Sequence, residues 1–262
     1  MLNYEDYLRE LELLDTFKQL GRATGSESAV ALPTMPPIMP PAAASARAST
    51  SSRAPVQAAK MAVAPIAQNP ARAAQIATMD WAALAGAASD CAACGLCKQR
   101  KQALLGEGAS TAPWLFVAEA PSEDDDVDAR LFAGATGKLL DAMFASAGLQ
   151  RGREVYVTSV VKCRPPGSRT PTVHEAAACA PLLDRQIDLI QPKLIVALGK
   201  TAVMRLTGRD ETMLAMRGKV HQYRGINVIA MYHPAYLLRS LTEKLKAWED
   251  LVFAKQEMAK LP

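Results

Sequence analysis

The chain has 262 residues, 50% hydrophobic but only 5% aromatic, with 30 Lys and Arg against 26 Asp and Glu and three His. At roughly 150 residues per domain, that admits one large domain or two small ones. No apolar run approaches the roughly 18 to 20 residues that span a bilayer. Glu5, Asp6, Glu10 and Glu12 break the acid-poor character of a secretory or transit signal, so a cytoplasmic protein with no membrane partner is expected.

In chain order, residues 1–22 come first. Tyr4, Tyr7, Leu8, Leu11, Leu14, Phe17 and Leu20 recur at spacings of three and four, which predicts a short amphipathic helix with Asn3 as N-cap and Gly21 as its stop. Such a helix either docks into a protein partner's groove or folds back on its own domain. Residues 23–80 read as a disordered linker. Eight of the 17 prolines fall between Pro33 and Pro70, and no Phe, Trp or Tyr occurs from Gly25 to Asp80. So few bulky side chains cannot bury enough surface to offset chain entropy. The expected folded domain is therefore residues 81–262. The charge divides near the same boundary: residues 1–90 carry a net −1 and residues 91–262 a net +5. A mildly basic domain is compatible with nucleic acid.

Within that domain, apolar runs alternate with helical patterns. Trp114 to Ala118, Val155 to Val161, Leu194 to Leu198 and Ile226 to Met231 read as buried strands. Gly137 to Ala147, His174 to Ile190, Thr201 to Leu206 and Thr242 to Lys260 have helical periodicity. Near-continuous apolar strands alternating with helices predict an α/β fold whose parallel sheet is covered on both faces. Ligands bind beyond the carboxyl ends of such strands, so residues following each strand are the candidates for chemistry.

The five cysteines, Cys91, Cys94, Cys97, Cys163 and Cys179, are odd in number, which argues against a disulfide framework. Two residues separate Cys91 from Cys94 and two more lead to Cys97. Cys163 lies just past a strand and Cys179 within the next helix. An all-thiolate site suits either an iron–sulfur cluster or zinc.

Four segments together resemble the type-4 uracil-DNA glycosylases. They are Cys91-Ala-Ala-Cys94, Ala118-Glu-Ala-Pro-Ser122 leading to Phe132-Ala-Gly134, Val161-Lys-Cys-Arg-Pro-Pro166 with Cys179, and His233-Pro-Ala-Tyr-Leu-Leu-Arg239. The resemblance covers essentially Trp81 to Leu251. It implies a three-layer α/β/α sandwich around a four-stranded parallel sheet, a [4Fe–4S] cluster held by Cys91, Cys94, Cys163 and Cys179 with Cys97 as the spare, and uracil-containing DNA as the partner of a monomeric enzyme.

The implied roles make chemical sense. Hydrolysing the bond between deoxyribose and uracil needs the base outside the helix. Glu119 matches the family's water-orienting acid, and His233 the histidine that hydrogen-bonds the departing base. Phe132 matches the residue that stacks on the base, with Ala120, Pro121 and Ser159 beside it. Tyr236, Leu237, Leu238 and Arg239 form the loop expected to meet DNA, an apolar residue wedging into the duplex and Arg239 meeting phosphate.

The chain departs from the family pattern at three places. Ala118 and Ser122 stand where Gly is usual, and Asp125 alone matches an acidic Glu. Ser159 stands where Asn is usual, and its one short hydroxyl cannot make the bidentate contact with uracil's edge that an amide makes. The run Glu123 to Asp126 is expected to be a solvated loop pointing away from phosphate. The main reading is a monofunctional glycosylase. The rivals are a catalytically inactive cluster-bearing DNA-binding protein, and a zinc-stabilised nucleotide-binding domain that lacks any usual Gly-rich phosphate loop.

Overall fold

The computed structural model describes residues 69–262; the expected amphipathic helix 1–22 and most of the expected linker lie outside the described residues. Five strands are present, β1 (Trp114–Ala118), β2 (Val155–Ser159), β3 (Leu194–Leu198), β4 (Val220–Tyr223) and β5 (Ile226–Met231). They form one sheet in the order β2-β1-β3-β5-β4. The four apolar runs read from the sequence are β1, β2, β3 and β5, and their pairings are all parallel. The sheet is nevertheless five-stranded, because β4 pairs antiparallel with β5 at the edge. Its sequence, Val-His-Gln-Tyr, buries only His221 and lacks the apolar run of a central strand.

Alternating strand residues feed two separate cores, as the period of two in a pleated strand requires. Leu115, Val117, Ile195, Ala197, Val228 and Ala230 face one layer. That layer contains α1 (Pro70–Ala77), α2 (Trp81–Ser89), α5 (Val173–Ile190) and α6 (Lys200–Thr207). Trp114, Phe116, Ala118, Leu194, Val196, Leu198, Ile229 and Met231 face the other. There they meet α4 (Gly134–Ser146), α8 (Pro234–Arg239) and α9 (Lys244–Met258). Two short helices, α3 (Glu123–Asp128) and α7 (Met213–Met216), complete the fold. This is the expected three-layer α/β/α sandwich.

Helix α1 falls inside the segment read as linker, and the folded part therefore starts earlier than residue 81. Its sequence is mostly small residues, but Asn69 caps it, with Pro70 opening the first turn, and Ile76 is buried. What anchors it is tertiary: Arg72 donates to the carbonyl of Ala178 on α5 at 2.8 Å. The other edge of the sheet is also covered. Glu107 exchanges both backbone hydrogen bonds with Val157 on β2, which removes an open strand edge. No helix among the described residues is long and apolar enough to cross a membrane.

Candidate active site and thiol cluster

The carboxyl ends of β1, β3 and β5 open onto a cavity of about 440 Å³. Glu119, Ala120 and Pro121 line it from the end of β1, Gly199 and Lys200 from the end of β3, and Tyr232, His233, Tyr236 and Arg239 from the end of β5 and α8. The segment from Pro165 to Pro171, between β2 and α5, supplies a further wall.

Glu119 is held at the amino end of α6. Its Oε1 accepts from the Thr201 N–H at 2.9 Å. Gly199 caps that helix with φ +88°, and a Cβ there would stand 2.6 Å from the same oxygen. Only glycine permits both the backbone conformation and the approach of the carboxylate.

His233 is the N-cap of α8, and its Nδ1 accepts from the Ala235 N–H at 3.2 Å. Accepting at Nδ1 leaves the proton of the neutral ring on Nε2. Burial, with a smaller contribution from the Arg239 charge, lowers its pKa from 6.5 to about 4. The imidazole is therefore neutral at physiological pH. The Phe132 ring lies against it, with centroids 5.4 Å apart and planes 24° from parallel.

Phe132 itself is buried and has φ +55°, a left-handed conformation rare for a bulky residue. Asp125 supports the turn that carries it. Its Oδ1 accepts from the Ala133 N–H at 2.8 Å, its Oδ2 accepts from the Ser122 N–H at 2.9 Å, and its carbonyl accepts from the Arg130 N–H. The run Glu123 to Asp126 is thus not a solvated loop. It is the first turn of α3, where carboxylates suit the helix dipole, and Asp125 and Asp126 are buried. Asp126 accepts from the Lys101 and Gln102 N–H groups and pairs with Arg164 at 3.4 Å.

Three expected site residues are placed elsewhere: Phe132, expected to stack on the base, is buried against His233 and does not line the cavity. Ser159 is fully buried, and its hydroxyl donates to the Val161 carbonyl at 2.8 Å instead of lining the cavity. Leu237 is fully buried in the core under α8, so it cannot contact DNA. Its neighbours Tyr236 and Leu238 are exposed, and Arg239 is at the surface. The sequence reading missed Lys200, Arg169 and Tyr232, all of which reach the cavity. Lys200 pairs with Asp210 at 2.8 Å. Tyr232 leans on Tyr236, centroids 5.1 Å apart, and carries the Arg217 guanidinium over its ring.

Cys163 and Cys179 flank the Pro165–Pro171 segment in the chain. Cys91, Cys163 and Cys179 interact electrostatically with one another, and Cys94 interacts with Cys91, Cys97 and Cys163. Burial raises the Cys94 and Cys163 thiols and pushes Cys179 up to about 11. Three of the sulfurs nevertheless receive an N–H donor. Arg72 donates to Cys91 at 3.3 Å, Arg100 to Cys163 at 2.9 Å, and the Lys162 backbone to Cys179 at 3.3 Å. Among the described residues, none is directed at Cys97. Nor do any three His, Cys, Asp or Glu side chains among them gather tightly enough to hold a single metal ion.

The family model for the uracil DNA glycosylase superfamily matches residues 105–252. A type-4 uracil-DNA glycosylase of Thermotoga maritima is 40% identical over 174 residues, which cover 65% of this chain and 90% of that protein. One of Pyrobaculum aerophilum is 41% identical over 181 residues, covering 66% of this chain and 92% of its own. One of Archaeoglobus fulgidus is 41% identical over 156 residues, covering 56% and 78%.

Proposed function

The chain belongs to the uracil DNA glycosylase superfamily and to its type-4 group, and we propose that the cavity between Glu119 and His233 is where it acts. The reaction is hydrolysis of the N-glycosyl bond between uracil and deoxyribose in DNA, the first step of base-excision repair. The observation that carries the assignment of the cavity is the pairing at its walls of an anchored carboxylate with an imidazole kept neutral.

As the bond breaks, positive charge grows on the sugar and negative charge on the base. Glu119 is anchored through Oε1, so its second oxygen is available to orient the attacking water and stabilise the sugar. His233 faces the base with a donor at Nε2. Burial keeps the ring neutral, and a neutral imidazole N–H is too weak an acid to give up its proton, so His233 donates a hydrogen bond that stabilises the uracil anion without protonating it. Phe132 packs its ring against His233 and supports its orientation. A water oriented by Glu119 supplies the oxygen, so no lysine attack on the sugar is needed. We assign Lys200, Arg169 and Arg239, around the opening, to the phosphates beside the extruded nucleotide, and exposed Tyr236 and Leu238 to the duplex itself.

Cys91, Cys94, Cys163 and Cys179 fit an iron–sulfur cluster: four buried or half-buried sulfurs, three of them receiving an N–H, on segments that converge. A [4Fe–4S] cluster bound there would serve as a structural staple, with electron transfer as its other chemistry. The chain's own residues show what such a staple secures. Cys163 and Cys179 bracket the Pro165–Pro171 wall, and a bidentate Arg169–Glu175 pair braces the same segment.

The test is release of free base from single- and double-stranded oligonucleotides carrying uracil, hypoxanthine or xanthine. Uracil release is expected. Failure to release any of the three by iron-replete protein would instead favour an inactive DNA-binding scaffold.

A further inference from the structure

Arg72 and Arg100 share an arrangement that no catalytic role explains. Arg72, on α1, donates Nη2 to the Cys91 sulfur and Nη1 to the carbonyl of Ala178, the residue before Cys179. Arg100 follows the Cys91–Cys97 turn. It donates Nη1 to the Cys163 sulfur and Nη2 to the carbonyl of Ser89, two residues before Cys91. Each guanidinium therefore bridges a sulfur of one segment to the backbone of the opposite one, and the two bridges run in opposite directions. A planar fork with several fixed donors can do this; a lysine ammonium cannot hold the same geometry.

We propose that Arg72 and Arg100 form a cationic cross-brace for an iron–sulfur cluster on Cys91, Cys94, Cys163 and Cys179. This rests on the cluster reading given above. Four thiolates concentrate negative charge in a half-buried site, and reduction of the cluster adds one more. Two guanidiniums donating to ligand sulfurs offset that charge and favour the reduced form, since hydrogen bonds to the sulfurs and local charge set cluster potentials. Their carbonyl contacts also lock the amino-terminal ligand segment to the one around Cys163 and Cys179. The brace gives α1 a function: it delivers Arg72, from a segment whose composition reads as linker.

The experiment uses the full chain, purified without oxygen. Iron and sulfide in the wild type test the cluster itself. Arg72→Gln and Arg100→Gln are then compared with it by midpoint potential and by the rate at which visible absorbance bleaches in air. Each is expected to shift the redox equilibrium about tenfold towards the oxidised form, which for one electron is about 59 mV more negative. Bleaching is expected to be about threefold faster or more. Arg72→Lys and Arg100→Lys keep the charge and lose the bridge, so they should recover the potential and still bleach fast. Should the Gln variants fail to fold, wild-type bleaching in the Lys variants would overturn the brace. Loaded Gln variants with unchanged potential and bleaching would also overturn it while leaving the cluster reading intact. Absence of iron and sulfide from the wild type would overturn both.

Discussion

The carbonyl oxygen of Phe132 lies where a side chain on Gly137 would have to begin: a Cβ there would stand 1.6 Å from it. Gly137 sits in the first turns of α4, and Phe132 is held just before that helix at φ +55°. The close approach fixes the left-handed turn, and the turn sets the ring on His233.

Gly137→Ala must therefore displace Phe132. Displacements of about 1 Å near a reacting centre cost on the order of 10²-fold, and overpacking costs about 1–3 kcal/mol. Single-turnover excision is expected to fall by about that factor, and urea melts to show that destabilisation. Gly86, in α2, has no atom within 4 Å of its missing Cβ. Gly86→Ala is the control, expected to keep full excision.

His233 makes stability depend on pH. Its folded pKa, about 4, is below the unfolded value near 6.5, so between these values the unfolded chain binds more protons. The contribution of the neutral ring is complete above pH 6.5 and is lost as pH falls towards 4. Asp250, raised from 3.8 to about 6 chiefly by burial, works in the opposite direction over an overlapping range. Comparing wild type with His233→Asn cancels that term. The stability advantage of wild type is expected to be constant above pH 6.5 and to shrink below it; a difference independent of pH would contradict the assignment.

Ser159→Ala separates the two accounts of that position. The hydroxyl is spent on the Val161 carbonyl, away from the cavity. Uracil excision is expected to stay within about threefold of wild type at subsaturating substrate, given that contacts to the base are made elsewhere. A tenfold loss in kcat/KM with unchanged melting would return Ser159 to the substrate.

Leu237 and Leu238 are adjacent and opposite in consequence. Leu237→Ala empties a fully buried site and should cost about 2–5 kcal/mol. Leu238→Ala removes an exposed side chain from the helix that carries the cavity residues Tyr236 and Arg239. It should leave the melting curve unchanged and lower excision from double-stranded more than from single-stranded DNA.

That pair shows where the sequence stops speaking. Two leucines in a helix of six residues carry no periodicity long enough to say which one faces the core. The four parallel strands were legible because burial on both faces makes each an unbroken apolar run. β4 was not, since an edge strand of four residues needs only one inward side chain. The end of the linker is hidden from composition for a related reason. α1 is held by one isoleucine and one arginine reaching α5, and composition cannot display a contact 106 residues away. Asp125 and Asp126 read as solvated because charge runs usually are; their burial follows from backbone N–H groups that only the fold brings to them. Glu119 and His233 were found through motif resemblance, and the structure adds what motif cannot: the helix end that anchors one and the tautomer that arms the other.

The most direct test of the central claim is single-turnover uracil release by Glu119→Ala and His233→Ala beside the wild type, on one uracil-containing oligonucleotide. Removing one group that stabilises transition-state charge typically costs 10²–10³-fold. Each variant is expected to lose about that much, with the far-ultraviolet spectrum retained and, for Glu119→Ala, a loss of about 1 kcal/mol from the freed end of α6. Uracil release at the wild-type rate by either folded variant would contradict the account.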